Sequence, residues 1–401
     1  MCKLTYEELI LLDNLIYLQW NAKENDKIKD IVDDILNHKN FNKLMEAVGN
    51  CIIKMPKSQW LNILSQITNN KNLGNLRIRN TNDYKNGMKF ACFVQENNEA
   101  IVVFRGTSTT SEWEDNGEGA YKNETEEQKE ALNFINSLSY QDITVTGHSK
   151  GGNKAQYVTI LSPKIKKCVS VNGQGFSNDF IEKYKGEVNN NKSKIVSINA
   201  QYDYVSCLFN SISSQTHYIK TEFQINPFDY HKAFILLDEK GALRNETNES
   251  TLANILNDFS LYIVSSLPKD MQKVIIDRVM DIIELVLCKE ENKTNILKLA
   301  GEFLIMFFYE NFFEYEDIFL LNYSIVEILI LPLMFWNDFI YIEETKSKQR
   351  LDEVIENINR LGNEIIRKLK IIDEDQKNII NNITMALNNL TNRLKNEILQ
   401  N

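Results

Sequence analysis

Five prolines, 15 glycines and four histidines among 401 residues leave few sites for sharp turns and few for acid–base or metal chemistry. No two histidines stand in H-x-x-x-H spacing. The six cysteines (Cys2, Cys51, Cys92, Cys168, Cys207 and Cys288) are scattered without a C-x-x-C pair. A zinc site is therefore not expected, nor any other metal or organic cofactor. Cysteines inside apolar runs such as KFACFV and KKCVSV read as reduced, buried thiols. With them, the acids within the opening MCKLTYEELILLDN argue against a cleaved signal peptide. That leaves a cytoplasmic protein, or one secreted by a signal-peptide-independent route. Positive charge is also lacking: 45 Lys and Arg stand against 55 Asp and Glu, a formal charge of −10, so nucleic acid is excluded as the main partner. An uninterrupted apolar run of about 20 residues, as a membrane span requires, is missing too. The most apolar stretch, Ile318–Ile342 with its ILILPLMFW, is interrupted by Asn322, Glu327, Asn337 and Asp338 and is expected to be broken by Pro332. It reads as a buried core helix.

What is present is a foldable chain, 43% hydrophobic and 10% aromatic. Leu4–Trp20 has helical spacing, a second helical stretch runs to about Val48, and a third lies around Ser58–Ile67. From Met88 the texture turns to strands: KFACFVQ, the turn ENNEA, then IVVFRGT predict a hairpin. Helix over Thr125–Leu138, strand over Ile143–Thr146, helix over Gly152–Leu161 and strands at Lys167–Asn172, Lys194–Asn199 and His217–Glu222 follow. This alternation predicts an α/β sheet flanked by helices over residues 1–244. Residues 245–401 show no convincing strand and predict an all-helical C-terminal region. It would comprise apolar helices over 251–345, one of them Thr294–Phe313, and a coiled-coil-like tail over 346–401. In that tail Leu351, Val354, Ile358, Leu361 and Ile365, then Ile379, Ile383, Leu387, Leu390, Leu394 and Ile398, recur at 3–4 spacing. The stripe suits a hairpin packed on itself, or else a helical partner or a second copy.

The chemistry concentrates in Ile143–Asn153, ITVTGHSKGGN. A β-prone run entering Gly147-His148-Ser149-Lys150-Gly151 is a G-x-S-x-G turn, which presents a serine at a sharp strand-to-helix junction. Side chains two residues to either side of the serine would collide, so both places take glycine. The N–H of Lys150 then points where an oxyanion would develop. A serine nucleophile needs a base, and the base an orienting acid. His148 is next to Ser149 and points away from its line of attack; His38 precedes the sheet; His217 lies in the strand-like THYIKTE. His231, in the loop-like NPFDYHKAF, is the favoured base. Asp203 follows the strand in KIVSINAQYDYV and is the favoured acid, with Asp179 and Asp229 as substitutes should that strand be misplaced. The second oxyanion donor is expected at Thr107, after Gly106 in IVVFRGTSTTSEWED. Trp113 and Asp115 either anchor that loop or simply pack and cap it.

FRGT with a downstream W-x-D, then GHSKGGN, the NGQGFS run and a late Tyr-His resemble, in order, the Mbeg1-like family of α/β-hydrolases. That family is in turn similar to the class 3 (fungal-type) lipases. The resemblance runs over roughly Leu4–Leu243. It implies an α/β-hydrolase fold with Ser149 as nucleophile, Asp203 as acid, His231 as base, and Thr107 and Lys150 as oxyanion donors. The expected activity is a serine carboxylic-ester hydrolase on lipid esters, of lipase or phospholipase A type, with peripheral membrane contact. The apolar helices of Leu304–Ile342 would cover the site or bind acyl chains. Lysine rather than leucine after the serine departs from the class 3 pattern, and leaves Lys150 either to steer an anionic head group or to pack in an ion pair. The layout also resembles type VII-secreted lipase effectors with an LXG-like helical domain. Two alternatives from other classes are a non-catalytic protein using the hydrolase fold for interaction, and an acyltransferase or thioesterase using the same triad.

Overall fold

The computed structural model describes residues 3–18, 20, 22–39, 41, 55–83, 89–107, 110–288, 316–369, 371 and 373–400; within these it leaves out the side chains of 82, 83, 89, 110–114, 116, 227, 281–288 and 316–319. The chain divides into two compact units. The first comprises Met1–Ser206, Asn210–Phe223 and Phe228–Asn248; the second comprises Glu249–Asn401 with the short segments Cys207–Phe209 and Gln224–Pro227.

The first unit is built on one eight-stranded mixed sheet: β1 (Arg77–Asp83), β2 (Lys89–Val94), β3 (Ala100–Phe104), β4 (Ile143–His148), β5 (Ile165–Val171), β6 (Ile195–Ala200), β7 (Gln215–Ile219) and β8 (Glu246–Thr247). The strands lie in sequence order. β1, β2 and β3 pair antiparallel, β3 through β7 parallel, and β8 returns antiparallel. β2 and β3 are the predicted hairpin. β1, which is polar along nearly its whole length (RIRNTND), carries no alternation by which it could be read.

Parallel strands laid in sequence order, with right-handed crossovers, put all crossover helices on one face of the sheet. β4 shows the result residue by residue. Ile143 and Val145 point into a core with Ala155, Val158 and Ile160 of the helix Lys150–Leu161, together with Ala131, Phe134 and Ile135 of the helix Glu126–Ser137. Burying each large apolar side chain of this kind contributes about 1.5–3 kcal/mol. Thr146 and His148, on the opposite face, meet the N-terminal helix Tyr6–Leu15 and the turn after it: Thr146 Oγ1 donates to Asp13 Oδ2 at 2.9 Å, and Tyr17 Oη lies 2.8 Å from His148 Nδ1. Capping boxes start both outer helices, with Thr5 and Glu8 for the first and Thr125 and Gln128 for Glu126–Ser137.

The second unit is helical: Thr251–Ser265, Lys269–Cys288, Glu316–Met334, Trp336–Thr345, Lys348–Arg367 and Glu374–Glu397. The predicted helix over Thr294–Phe313 falls outside the described residues, as do the end of the second helical stretch, near Val48, and Leu304–Tyr315. Leu320–Thr345 is long and apolar enough to cross a membrane by length and composition, and 56% of its most apolar window is buried within the protein. Pro332 does not break it as expected; it sits inside Glu316–Met334, and the helix resets three residues later at Phe335. In the tail, Leu351, Val354, Ile358 and Ile365 face inward, and so do Ile379, Ile383, Leu387, Leu390, Leu394 and Ile398. The last helix packs against Lys348–Arg367 and Thr251–Ser265, so its apolar stripe is covered within the chain.

Candidate active site

Every candidate residue belongs to the first unit and follows the C-terminal end of a parallel strand: Gly106 and Thr107 after β3, Ser149 after β4, Asp203 after β6, and His231 at the end of a 3₁₀ turn (Pro227–His231) in the loop after β7. Loops at this edge of a parallel sheet converge, which brings distant parts of the chain together.

Ser149 has φ 58° and ψ −126°, a strained backbone for a residue with a side chain. Its N–H donates to Val171 O at 2.9 Å, and its carbonyl accepts the first helical bond, from Asn153 N at 3.1 Å. The flanking glycines are required by contact. A Cβ on Gly147 would stand 2.3 Å from the Gly151 carbonyl carbon, and one on Gly151 would stand 2.0 Å from Phe104 O. A Cβ on Gly106 would lie 2.6 Å from His148 O and 3.1 Å from Ser149 Cβ, so the β3 loop sits directly against the serine. Thr107, which follows, is buried.

His231 and Asp203 meet as a buried pair. His231 Nδ1 is 2.9 Å from Asp203 Oδ1. The carboxylate also accepts Val205 N–H at 3.2 Å and Ser206 N–H at 3.0 Å, which holds it in place. An ionised carboxylate accepts, so Nδ1 carries the proton and Nε2 its lone pair. That Nε2 is buried and bonds no described residue. Its bond to Ser149 Oγ is thus not made in this structure; such bonds are often loose until substrate closes the site. Asp179 serves instead in the first turn of a short helix, and Asp229 pairs with Lys232 at 2.9 Å. His217 bonds Glu246 Oε1 at 2.8 Å on the sheet's far strands.

Lys150 does not reach outward. Its side chain is 1% exposed, with Nζ 2.7 Å from Asp115 Oδ2 and 3.0 Å from Asp115 O. Burial works against charge on Asp115, yet the Lys150 cation and hydrogen bonds from Lys150, Thr125 and the Glu127 N–H outweigh it and hold the carboxyl below its ordinary range. Asp115 therefore anchors the helix Thr110–Tyr121 that follows the loop carrying Thr107; the side chain of Trp113 is outside the described set.

Several supporting residues have roles that only the structure shows. Asn153, last in GHSKGGN, accepts from Gln128 Nε2 at 2.7 Å and donates to Gln174 O and Gly175 O, tying the helix that follows Ser149 to the NGQGFS run. Lys154 and Glu127 form a second buried ion pair at 3.1 Å. Asn172 (φ 46°) bridges Ala200 N and His231 O. Such roles leave no periodic mark; only an asparagine in a glycine-rich run hints at a left-handed turn. Among the described residues no cluster of His, Cys, Asp and Glu could hold a metal ion.

A family model described as Mbeg1-like matches residues 65–281, more than half of the chain. The chain belongs to the Mbeg1-like family. The matched stretch begins later than the resemblance read from motifs, which started at Leu4, and extends past Leu243 into the helix Lys269–Cys288. No curated protein and no solved structure gives a significant match.

Proposed function

We propose that this Mbeg1-like protein is a serine carboxylic-ester hydrolase with an α/β-hydrolase fold. One observation carries the reading: His231 is held at Nδ1 by buried Asp203 while its buried Nε2 bonds none of the described residues. A buried nitrogen in that state costs stability whatever its role, and taking a proton is a role that accounts for its being kept. In the proposed reaction His231 Nε2 removes the Ser149 proton as Oγ attacks the ester carbonyl. Asp203 keeps the imidazole in its Nδ1–H tautomer and stabilises the charged form. The N–H groups of Thr107 and Lys150 hold the oxyanion, the alcohol leaves with the proton from His231, and water then hydrolyses the acyl-enzyme. No cofactor enters these steps.

The lipid character of the ester rests on the likeness of FRGT and GHSKGGN to class 3 lipase motifs. The buried Lys150–Asp115 pair weighs against a head-group role for Lys150. Cytoplasmic residence or signal-independent secretion, and contact with a lipid surface, go with this reading.

The test is hydrolysis of a phospholipid and triglyceride panel, with fluorophosphonate labelling, by wild type and Ser149→Ala. We expect the substitution to lower hydrolysis by roughly 10⁴-fold or more and to abolish labelling, with the circular dichroism unchanged. Equal activity in both proteins would sink the assignment. A wild type that neither reacts with the probe nor hydrolyses any ester would favour a non-catalytic use of the fold.

A further inference from the structure

Tyr17 precedes the family-matched stretch by almost 50 residues, yet its hydroxyl packs against residues that flank Ser149. It is 2.8 Å from His148 Nδ1, and a Cβ added to Gly106 would fall 2.3 Å from it. His148 Nε2 in turn is 2.6 Å from the carbonyl oxygen of His231.

The proton positions follow from the acceptors. A carbonyl only accepts, so His148 Nε2 carries a hydrogen and donates it. A neutral imidazole has one N–H, so Nδ1 is bare and accepts from the Tyr17 hydroxyl. Burial, and then the neighbouring His231, push His148 down to about 3, so the ring stays neutral at any pH where a histidine base works. The His231 carbonyl takes a second donor, Asn172 Nδ2 at 3.0 Å. Asn172 Oδ1 accepts Ala200 N–H at 2.8 Å, and Ala200 O receives Asp203 N–H at 3.0 Å. The loop carrying the base is thus tied through one carbonyl to β4 and β5, and through Asn172 to the turn that carries the acid. The His148 and His231 rings lie 4.8 Å apart, centroid to centroid.

We propose that Tyr17 and His148 act as a positioning relay that, with Asn172, fixes the backbone of His231 and so aims its Nε2 at Ser149. The relay makes the N-terminal segment part of the active site. It rests on the hydrolase reading above. A merely structural role for the hydroxyl is poorly supported, because the same segment is already anchored by Leu9, Leu12 and Leu15, all buried. Neither Tyr17 nor His148 touches the reacting atoms, so each acts through His231.

The experiment uses the full chain with Tyr17→Phe, His148→Gln and His148→Leu. Fluorophosphonate labelling at Ser149 and kcat and KM on a soluble p-nitrophenyl ester are measured beside ¹⁵N NMR of the histidine tautomers. Tyr17→Phe should slow labelling and lower kcat by about 5–20-fold with KM nearly unchanged, because misaiming a base acts on the chemical step. His148→Leu should cost roughly 10²-fold. His148→Gln retains an N–H for the carbonyl and should recover most of that loss, which loss of packing alone would not do. Should His148→Leu fail to fold, Tyr17→Phe and His148→Gln carry the comparison. Labelling at the wild-type rate in Tyr17→Phe and His148→Leu would overturn the relay, as would an Nδ1–H tautomer at His148. A wild type that never labels at Ser149 defeats the hydrolase reading instead. The tautomer then decides the relay's geometry: Nε2–H at His148, perturbed by Tyr17→Phe, supports it, and an unperturbed signal overturns it.

Discussion

At the scale of residues, the Lys150 ammonium and the Asp115 carboxylate meet at 2.7 Å with the lysine side chain 1% exposed. A buried ion pair adds little against well-packed apolar replacements, but removing one partner strands the other charge. Lys150→Met alone should therefore destabilise the first unit by about 3–5 kcal/mol in urea unfolding, and Lys150→Met with Asp115→Leu should regain most of it. Because the folded Asp115 carboxyl is held below its ordinary 3.8, its contribution is complete above that value and is lost as pH falls through the lower folded one. Asp13 has the opposite sign. Burial lifts its carboxyl well above 3.8, and the hydrogen bond from Thr146 offsets only part of this. As pH rises above 3.8 the unfolded chain ionises while folded Asp13 stays protonated, so folding loses stability up to the raised value. Asp13→Asn, which can still accept from Thr146, should be near neutral around pH 4. Its stabilisation should grow towards pH 7, by about 1.4 kcal/mol per unit of the lift. Thermal unfolding of both proteins across that range checks it; a gain independent of pH would contradict the sign.

At the scale of elements, the elbow requires three pieces of backbone to touch. Gly151 sits against Phe104 O of β3, and Gly147 against Gly151. Neither contact involves a flexible side-chain end that could yield. Gly151→Ala should therefore disrupt the strand–helix junction by about 3 kcal/mol or more and remove any serine reactivity, read as a lowered unfolding midpoint and lost labelling. By contrast, none of the described residues comes within 4 Å of a Cβ added to Gly186, and Gly186→Ala should cost nothing measurable. The elbow is legible in the sequence because contact of this kind can be met only by glycine, and so leaves a mark in the residue pattern. His231 is narrowed by elimination, since the chain has only four histidines, and Asp203 by its place just after an apolar strand. Asn153 and Asn172 stand within GHSKGGN and NGQGFS, but what they bond is not legible there, and Tyr17 is not legible at all: a side chain that bonds a group far away in the chain needs no local pattern. β1 escapes for a related reason, having no apolar face in its sequence although Ile78 is buried.

At the scale of the whole molecule, the chain comprises a sheet-based unit and a helical unit. The tail stripe, open in sequence to self-packing or to a partner, is buried against other helices of its own unit. Ile383 is 1% exposed and Ile358 fully buried. Ile383→Ala should cost the helical unit about 2–5 kcal/mol in denaturant unfolding, and sedimentation should show the wild type monomeric, since the stripe is already used. A dimer that dissociates on Ile383→Ala would assign the stripe to a partner instead. By itself the sequence determined the alternation of strands and helices, the change of texture near residue 245 and the glycine-flanked serine turn. Each of these is local, set by periodicity or by steric exclusion over a few residues. Only the tertiary structure decided that Lys150 is sequestered by Asp115, that His231 pairs with Asp203, and that Tyr17 reaches His148. These contacts span 28 to 131 residues of chain, and burial and hydrogen-bond geometry select them only once the sheet has brought its strand ends together.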